Sequence, residues 1–161
     1  MMPPPAVGDR FRALIAELSR RSGTPAFEPH LTLAGVEAPT AAEACARVAP
    51  LAATLAPIPV RLTEIGMTAE YFRCLFIRAA PSPALLHAYR SACAALGRPP
   101  AEFMPHLSLI YGELAPAAKN EIAAGLGGRF ELEFTIERLA LYTTFGLPPD
   151  WRCVGDFRLA G

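Results

Sequence analysis

The spacing of apolar residues predicts both helices and strands in this chain. Apolar residues recur at intervals of three and four, as on one face of an amphipathic helix, at Phe11, Leu14, Ile15 and Leu18. This first helix should end near Gly23, because glycine commonly follows a helix terminus. Apolar and polar residues alternate instead over residues 130–136, which is typical of a strand with one buried face.

Capping residues predict two further helices. The second should begin at the capping box of Thr40 and Glu43, and Pro50 should kink or end it. The third should begin with Ser82 as its cap and stop at Gly97.

Apolar runs and alternating segments predict six strands. In chain order they cover residues 27–36, 58–62, 71–79, 103–112, 130–136 and 151–160. The apolar register changes at Leu139 and Leu141, so a bulge or turn is expected there. A short fourth helix should cover residues 116–126. This mixture predicts an α+β fold.

One phrase of the sequence occurs twice, as FEPHLTL and as FMPHLSL, and its histidines, His30 and His106, are 76 positions apart (106 minus 30). The order of the predicted elements repeats as well, which indicates two similar halves. No Gly/Ser-rich linker separates the halves. We therefore expect a single domain of two pseudo-symmetric lobes, about residues 1–78 and 79–161, and leave open whether the terminal strands exchange between them.

Each copy of the phrase carries a hydroxyl residue two positions after its histidine. Residues i and i+2 of a strand point to one face, so His30 shares a face with Thr32, and His106 with Ser108. The leucines beside them point the other way, where helices can cover them. If a pseudo-two-fold axis relates the lobes, both polar faces line one cleft.

Two imidazoles and two hydroxyls suit the hydrolysis of a phosphodiester. One imidazole can act as a base towards water and the other as an acid towards the leaving oxygen, because the unperturbed pKa of histidine is about 6.5. The hydroxyls can donate hydrogen bonds to the non-bridging oxygens. This chemistry needs no metal, and we predict neither a metal nor a cofactor; the aspartates form no ligand cluster with the histidines and are only Asp9, Asp150 and Asp156.

Composition restricts the partners of the chain. It has 161 residues with 15 basic and 15 acidic side chains and no basic cluster, so duplex DNA is not expected to bind. No apolar run approaches the roughly 18 residues of a membrane helix, and no signal-peptide pattern opens the sequence. The four cysteines form no C-x-x-C, which favours free thiols. We expect a cytoplasmic monomer that binds a small phosphate-containing molecule.

The pair PHLTL and PHLSLIYG resembles the two H-x-[ST]-x signatures of the two-histidine (2H) phosphoesterase superfamily. Within it, the chain is most similar to the plant and yeast-type cyclic nucleotide phosphodiesterases. The resemblance implies a bilobal, duplicated, sandwich-like fold with two antiparallel sheets around a central cleft and helices on the outer faces. It also implies opening of a nucleoside 2′,3′-cyclic phosphate or ADP-ribose 1″,2″-cyclic phosphate to a phosphomonoester.

The same resemblance implies roles for individual residues. His30 and His106 would be the acid/base pair, and Thr32 and Ser108 would hold the phosphate. Which histidine activates water stays open, because the halves are so similar. Tyr111 lies where the family has a tyrosine that can contact the substrate.

Other aromatic residues and the chain start carry further expectations. Phe72, with Tyr71, could stack a base at the edge of the cleft, although a core position is the alternative for both and for Tyr111. His87 has no partner in the repeat, and we predict no catalytic role for it. The family usually opens with a W-x-[LM]-P strand; this sequence starts at Met1, where that strand should be ending, so the strand is expected to be truncated or to start upstream.

Two other functions fit the same residues. The site could act on RNA ends or 2′-5′-linked oligonucleotides, as a 2′-5′ RNA ligase or phosphodiesterase, although the neutral net charge disfavours a basic rim for RNA. It could also be a nucleotide-binding module without turnover. Structural histidines kept by an old duplication are the non-functional interpretation, and a metal pair lacks a visible third ligand.

Overall fold

The computed structural model describes residues 1–160, which form four helices and six strands. The helices are α1 (Pro5–Ser22), α2 (Ala41–Ala52), α3 (Pro83–Ala95) and α4 (Pro116–Gly125). The strands are β1 (Ile58–Met67), β2 (Leu75–Ala79), β3 (His106–Ile110), β4 (Arg129–Ile136), β5 (Arg138–Thr143) and β6 (Arg152–Arg158). None of the helices in this range is long and apolar enough to cross a bilayer.

The strands form two antiparallel sheets, so the predicted α+β class is confirmed. The larger sheet has the order β3-β2-β1-β4, and the smaller pairs β5 with β6. Helix α1 packs on β3, α3 packs on β1, and α2 packs on the smaller sheet. Strands from both halves of the sequence share the larger sheet. The division of the chain into two lobes near residue 78 stays a prediction.

The predicted helix boundaries agree with the observed caps. Gly23 adopts a left-handed φ of 65° after α1, a conformation that glycine reaches without strain, and its N–H bonds the carbonyl of Ser19. The capping box of Thr40 and Glu43 opens α2 with both of its hydrogen bonds formed. The helix does not end at Pro50, however, but runs through it to Ala52.

The strand predicted over residues 27–36 is wrong in its extent. Only Leu31 pairs, through an isolated antiparallel bridge to Leu107. On its other edge, Leu31 exchanges two backbone hydrogen bonds with Met1, each 3.0 Å long. Pro29 has no N–H to donate, which limits a ladder on the N-terminal side of Leu31.

Two other strand predictions need shorter boundaries. The segment 71–79 begins with a 3₁₀ turn, Tyr71–Arg73, and β2 starts only at Leu75. The Thr68 hydroxyl donates to the carbonyl of Arg73 at 2.8 Å, and such local side-chain bonds compete with a sheet ladder. The second copy of the repeated phrase forms strand only from His106 onwards.

An irregularity is found near Leu139 and Leu141, as predicted: the chain passes between the sheets at Glu137, and the pairing of β5 with β6 shifts register between Leu141 and Tyr142. β4 ends at Ile136 in the larger sheet, and β5 begins at Arg138 in the smaller one. The core beneath both sheets includes the leucines of the repeated phrase; Leu31, Leu107 and Leu109 have no exposed surface. Burial of these leucines leaves the histidines and hydroxyls on the opposite face.

Candidate active site

The bridge between Leu31 and Leu107 brings the two copies of the phrase side by side. In an antiparallel pair, residues flanking a bridge also lie opposite each other. His30 therefore lies across from Ser108, and Thr32 lies across from His106. Each imidazole thus stands opposite the hydroxyl of the other copy, and the four polar residues share one face.

Both imidazoles are held by a hydrogen bond from Nδ1 to the backbone carbonyl two residues earlier. The Nδ1 atom of His30 lies 2.7 Å from the carbonyl oxygen of Glu28, and that of His106 lies 2.9 Å from the carbonyl oxygen of Met104. A carbonyl only accepts, so each Nδ1 carries the proton and each Nε2 is left for chemistry. The proline between carbonyl and histidine restricts the preceding residue to an extended backbone, which accounts for Pro-His in both copies.

The environments of the two imidazoles differ. Burial lowers the pKa of His30 to about 4. Burial also lowers the pKa of His106, and the guanidinium groups of Arg73 and Arg78 lower it further. Both imidazoles are therefore neutral at pH 7 before an anion binds, and His30 resists protonation more strongly.

Tyr111 is buried, yet its hydroxyl reaches His30. Its oxygen lies 3.3 Å from His30 Nε2, and its ring stacks on Phe27 with centroids 3.8 Å apart. Burial raises the pKa of Tyr111 to about 12, so the phenol stays protonated and donates to the unprotonated Nε2. The predicted substrate contact Tyr111 therefore lies directly against His30.

The remaining predicted residues lie around this pair. Thr32 is exposed, whereas Ser108 is buried and donates to the carbonyl oxygen of Phe72 at 3.3 Å. The Phe72 ring is 50% exposed and lies 5.3 Å from the Tyr111 ring. Phe72 is thus a surface residue of the site and not a core residue. His87 is an exposed residue of α3.

Sequence reasoning missed several neighbours of the histidines. Trp151 lies 6.5 Å from the His30 ring, and within residues 1–160 its buried indole N–H has no hydrogen-bond partner. Phe76 lies 5.1 Å from the His106 ring. Trp151 is the single tryptophan of the chain, and this alone could have marked it as a candidate site residue. Phe76 gave no signal, because its place beside His106 depends on the pairing of β2 with β3.

Arginines approach the site from the side of His106. Arg73 pairs with Glu70 in the 3₁₀ turn, and Arg78 pairs with Glu64 at 3.3 Å. Arg138, in the smaller sheet, pairs with Asp156 at 2.8 Å. Arg73 and Arg78 are thus positive charges that act on His106.

A cavity of about 360 Å³ opens beside the first copy of the phrase. His30, Thr32 and Trp151 form part of its lining, and most of its other walls are apolar. His106 and Ser108 are not among its lining residues. Within residues 1–160, no three His, Cys, Asp or Glu side chains lie close enough to hold a metal ion.

Known proteins are similar to this chain in sequence or in fold. An Arabidopsis thaliana protein named cyclic phosphodiesterase is 28% identical over 144 residues, which cover 84% of this chain and 77% of that protein. A crystal structure from Thermus thermophilus is similar with a TM-score of 0.65 and 22% identity, covering 95% of this chain and 93% of the other. A structure titled phosphoesterase is similar with a TM-score of 0.64 and 16% identity, covering 99% and 95% of the two chains.

The family match covers most of the chain. The model of the 2′-5′ RNA ligase superfamily matches residues 3–146, a range that contains both histidines and both hydroxyl residues. The resemblance to the two-histidine phosphoesterases is therefore confirmed at the level of the family. This chain belongs to the 2′-5′ RNA ligase superfamily.

Proposed function

We propose that this protein hydrolyses a cyclic phosphodiester, either a nucleoside 2′,3′-cyclic phosphate or ADP-ribose 1″,2″-cyclic phosphate, to a phosphomonoester without a metal ion. The observation that carries the proposal is the pair of imidazoles, each with Nδ1 tied to a carbonyl, on one face beside two hydroxyls. The name of the Arabidopsis thaliana relative supports the same reaction.

The reaction needs one proton accepted and one proton donated. A water oxygen attacks phosphorus while one Nε2 takes a proton from that water, and the ring P–O bond breaks as the other Nε2–H protonates the leaving oxygen. One water molecule is consumed, and the product is a monoester with a free hydroxyl. The two imidazoles exchange protonation states and return to the start through solvent.

We assign the base to His30 and the acid to His106. His30 has the more strongly lowered pKa, and its Nε2 accepts a hydrogen bond from the Tyr111 hydroxyl. This nitrogen is therefore unprotonated near neutral pH. The bound phosphate anion favours the protonated form of the imidazole nearest to it. His106 takes up that proton more readily, because its pKa is less perturbed.

The hydroxyls and aromatic residues would bind the substrate. Thr32 would donate a hydrogen bond to a non-bridging oxygen. Ser108 would do the same after its hydroxyl rotates away from the Phe72 carbonyl. The exposed ring of Phe72 offers a stacking surface for a base, and Tyr111 can turn its hydroxyl from His30 to the substrate.

The deciding experiment is incubation with a chelator and each candidate substrate. Nucleoside 2′,3′-cyclic phosphates and ADP-ribose 1″,2″-cyclic phosphate are compared, and the monoester formed is identified by NMR of phosphorus. Turnover of one of them in the presence of chelator supports the proposal. Tight binding without turnover would identify a nucleotide-binding module instead.

A second candidate reaction follows from the family. Because the superfamily is named for 2′-5′ RNA ligase, an RNA end or a 2′-5′-linked oligonucleotide is the alternative substrate. Assay of a 2′-5′-linked dinucleotide beside the cyclic mononucleotide separates the two. Preference for the dinucleotide would replace the cyclic phosphodiester as the proposed substrate.

The pH dependence of kcat/KM follows from the lowered pKa values. The free enzyme needs a neutral His30, which is present above the pKa of His30 at about 4. It also needs a protonated His106, which is lost as the pH rises through the pKa of His106, a value lowered from the ordinary 6.5. We therefore expect a bell-shaped profile with its maximum between these limits, falling on both sides. A maximum above pH 7 would contradict this assignment.

The choice of leaving group tests the roles of the two histidines. A 4-nitrophenolate leaves without protonation, so it does not need the general acid. On bis(4-nitrophenyl) phosphate, His106→Ala should keep a rate within about 10-fold of the unsubstituted enzyme, whereas His30→Ala should lose about 10²-fold or more. Equal losses in the two variants would reject the assignment. A high rate in His30→Ala with a large loss in His106→Ala would reverse it.

A further inference from the structure

The imidazole of His106 rests on an aromatic side chain of the neighbouring strand. In the pairing of β2 with β3, Arg78 lies opposite His106 and Phe76 lies opposite Ser108, so the four side chains share a face. The Phe76 and His106 rings meet edge to face, with centroids 5.1 Å apart and planes at 61°. Phe76 has no exposed surface, although it lies on the polar face of the sheet.

Gly66 provides the space that Phe76 occupies. Gly66 lies opposite Phe76 in the pairing of β1 with β2. A Cβ at Gly66 would lie 2.4 and 2.6 Å from Cε2 and Cζ of the Phe76 ring, closer than any real contact. Gly66 is not in the left-handed region, so close approach and not backbone freedom requires glycine at this position.

Arg78 closes the same arrangement from the other side. Its guanidinium carbon lies 5.6 Å from the centroid of the Phe76 ring, a cation–π distance. Its Nη1 lies 2.8 Å from Sδ of Met104, the residue whose carbonyl holds His106 Nδ1. Within residues 1–160, the aromatic rings recorded beside His30 are instead those of Phe27, Tyr111 and Trp151, which lie outside the strands.

We infer that Gly66, Phe76 and Arg78 form a seat that fixes the orientation of the His106 imidazole, with Gly66 and Phe76 as positioning residues for the candidate acid. The ring of Phe76 packs edge to face against the imidazole, and the Met104 carbonyl holds the imidazole Nδ1. A displacement of about 1 Å in a reacting group can lower a rate about 10²-fold, so the seat affects catalysis without touching substrate. The catalytic consequence rests on the proposed function; the orientation of His106 does not.

The test is the substitution Gly66→Ala, with Gly125→Ala as its matched control. The added Cβ at Gly66 must displace the Phe76 ring, whereas a Cβ at Gly125 meets no atom within 4 Å. We expect kcat to fall about 10- to 10²-fold with KM nearly unchanged in Gly66→Ala, and neither to change in Gly125→Ala. Phe76→Leu should lower kcat similarly, and adding Gly66→Ala to it should cost little more, because the smaller side chain leaves room.

A measurement independent of activity follows the imidazole itself. The chain has three histidines, so the ring signals of His106 can be followed by NMR separately from those of the other two. The groups that act on His106 are Arg73, Arg78 and Glu70. Displacing Phe76 admits water, so the pKa of His106 should rise towards its ordinary value in Gly66→Ala and Phe76→Leu.

Each outcome decides the inference. If Gly66→Ala does not fold, as judged by circular dichroism, Phe76→Leu decides alone. A folded variant with unchanged kcat and unchanged titration of His106 would overturn the seat. If no cyclic phosphodiester is turned over, the proposed function fails, while a shifted titration would still support the orientation of His106.

Discussion

Replacing either His30 or His106 by alanine is expected to lower kcat/KM for the cyclic substrate by about 10²–10⁴, the usual contribution of one acid or base. The reason is that each imidazole has a single nitrogen, Nε2, that is not tied to a backbone carbonyl and can accept or donate the proton of the reaction. Steady-state kinetics on the two variants measures the effect.

The third histidine provides the control for this prediction. His87 is exposed on α3, so His87→Ala should retain the full rate. The double variant of His30 and His106 should lose much less than the product of the single losses, because groups that act in one step are not additive. Full activity in either single variant would refute the proposed mechanism.

The loss of a hydroxyl is expected to have the next largest effect. Thr32→Val and Ser108→Ala should each lower kcat by about 10²–10³, as the removal of one donor to a developing negative charge does in other enzymes. Thr32→Val preserves the shape of the side chain and removes only the hydrogen-bond donor. The measurement is kcat with saturating substrate.

The two hydroxyl variants should differ in a second observable. Ser108 also holds the carbonyl of Phe72, so Ser108→Ala should raise KM as well, whereas Thr32→Val should act mainly on kcat. Thr135→Val, on an exposed position of β4 away from the histidines, is the matched control and should have no effect. Wild-type kcat in both test variants would remove the hydroxyls from the mechanism.

Much of the site was predictable because the repeated phrase places its side chains through the local geometry of an extended backbone. The alternation of a strand places His30 with Thr32 and His106 with Ser108 without knowledge of any partner. The same alternation places Leu31 and Leu107 in the core, where both are fully buried. The caps of α1 and α2 were predictable for a similar reason, since a cap depends on residues within one turn.

The errors in the predicted strands arise from the hydrogen-bond partners of the backbone, which the apolar pattern does not reveal. The pattern of residues 27–36 is apolar enough for a strand, but a ladder needs a partner along its length, and here only Leu31 bridges to Leu107. At Tyr71, hydrogen bonds from Thr68 favour a turn over the apolar pattern. Periodicity reports which face is buried and does not report which backbone groups find partners.

The sequence by itself determined the class of fold, the two histidines and their hydroxyls, and the family resemblance, because each depends on residues that are close in the chain. Only the tertiary structure decided that His30 faces Ser108 across the bridge, that Phe76 rests on Gly66 beside His106, and that burial lowers the pKa of both imidazoles. These features join residues far apart in sequence. Their geometry and their dielectric surroundings exist only once the strands have paired and the core has closed.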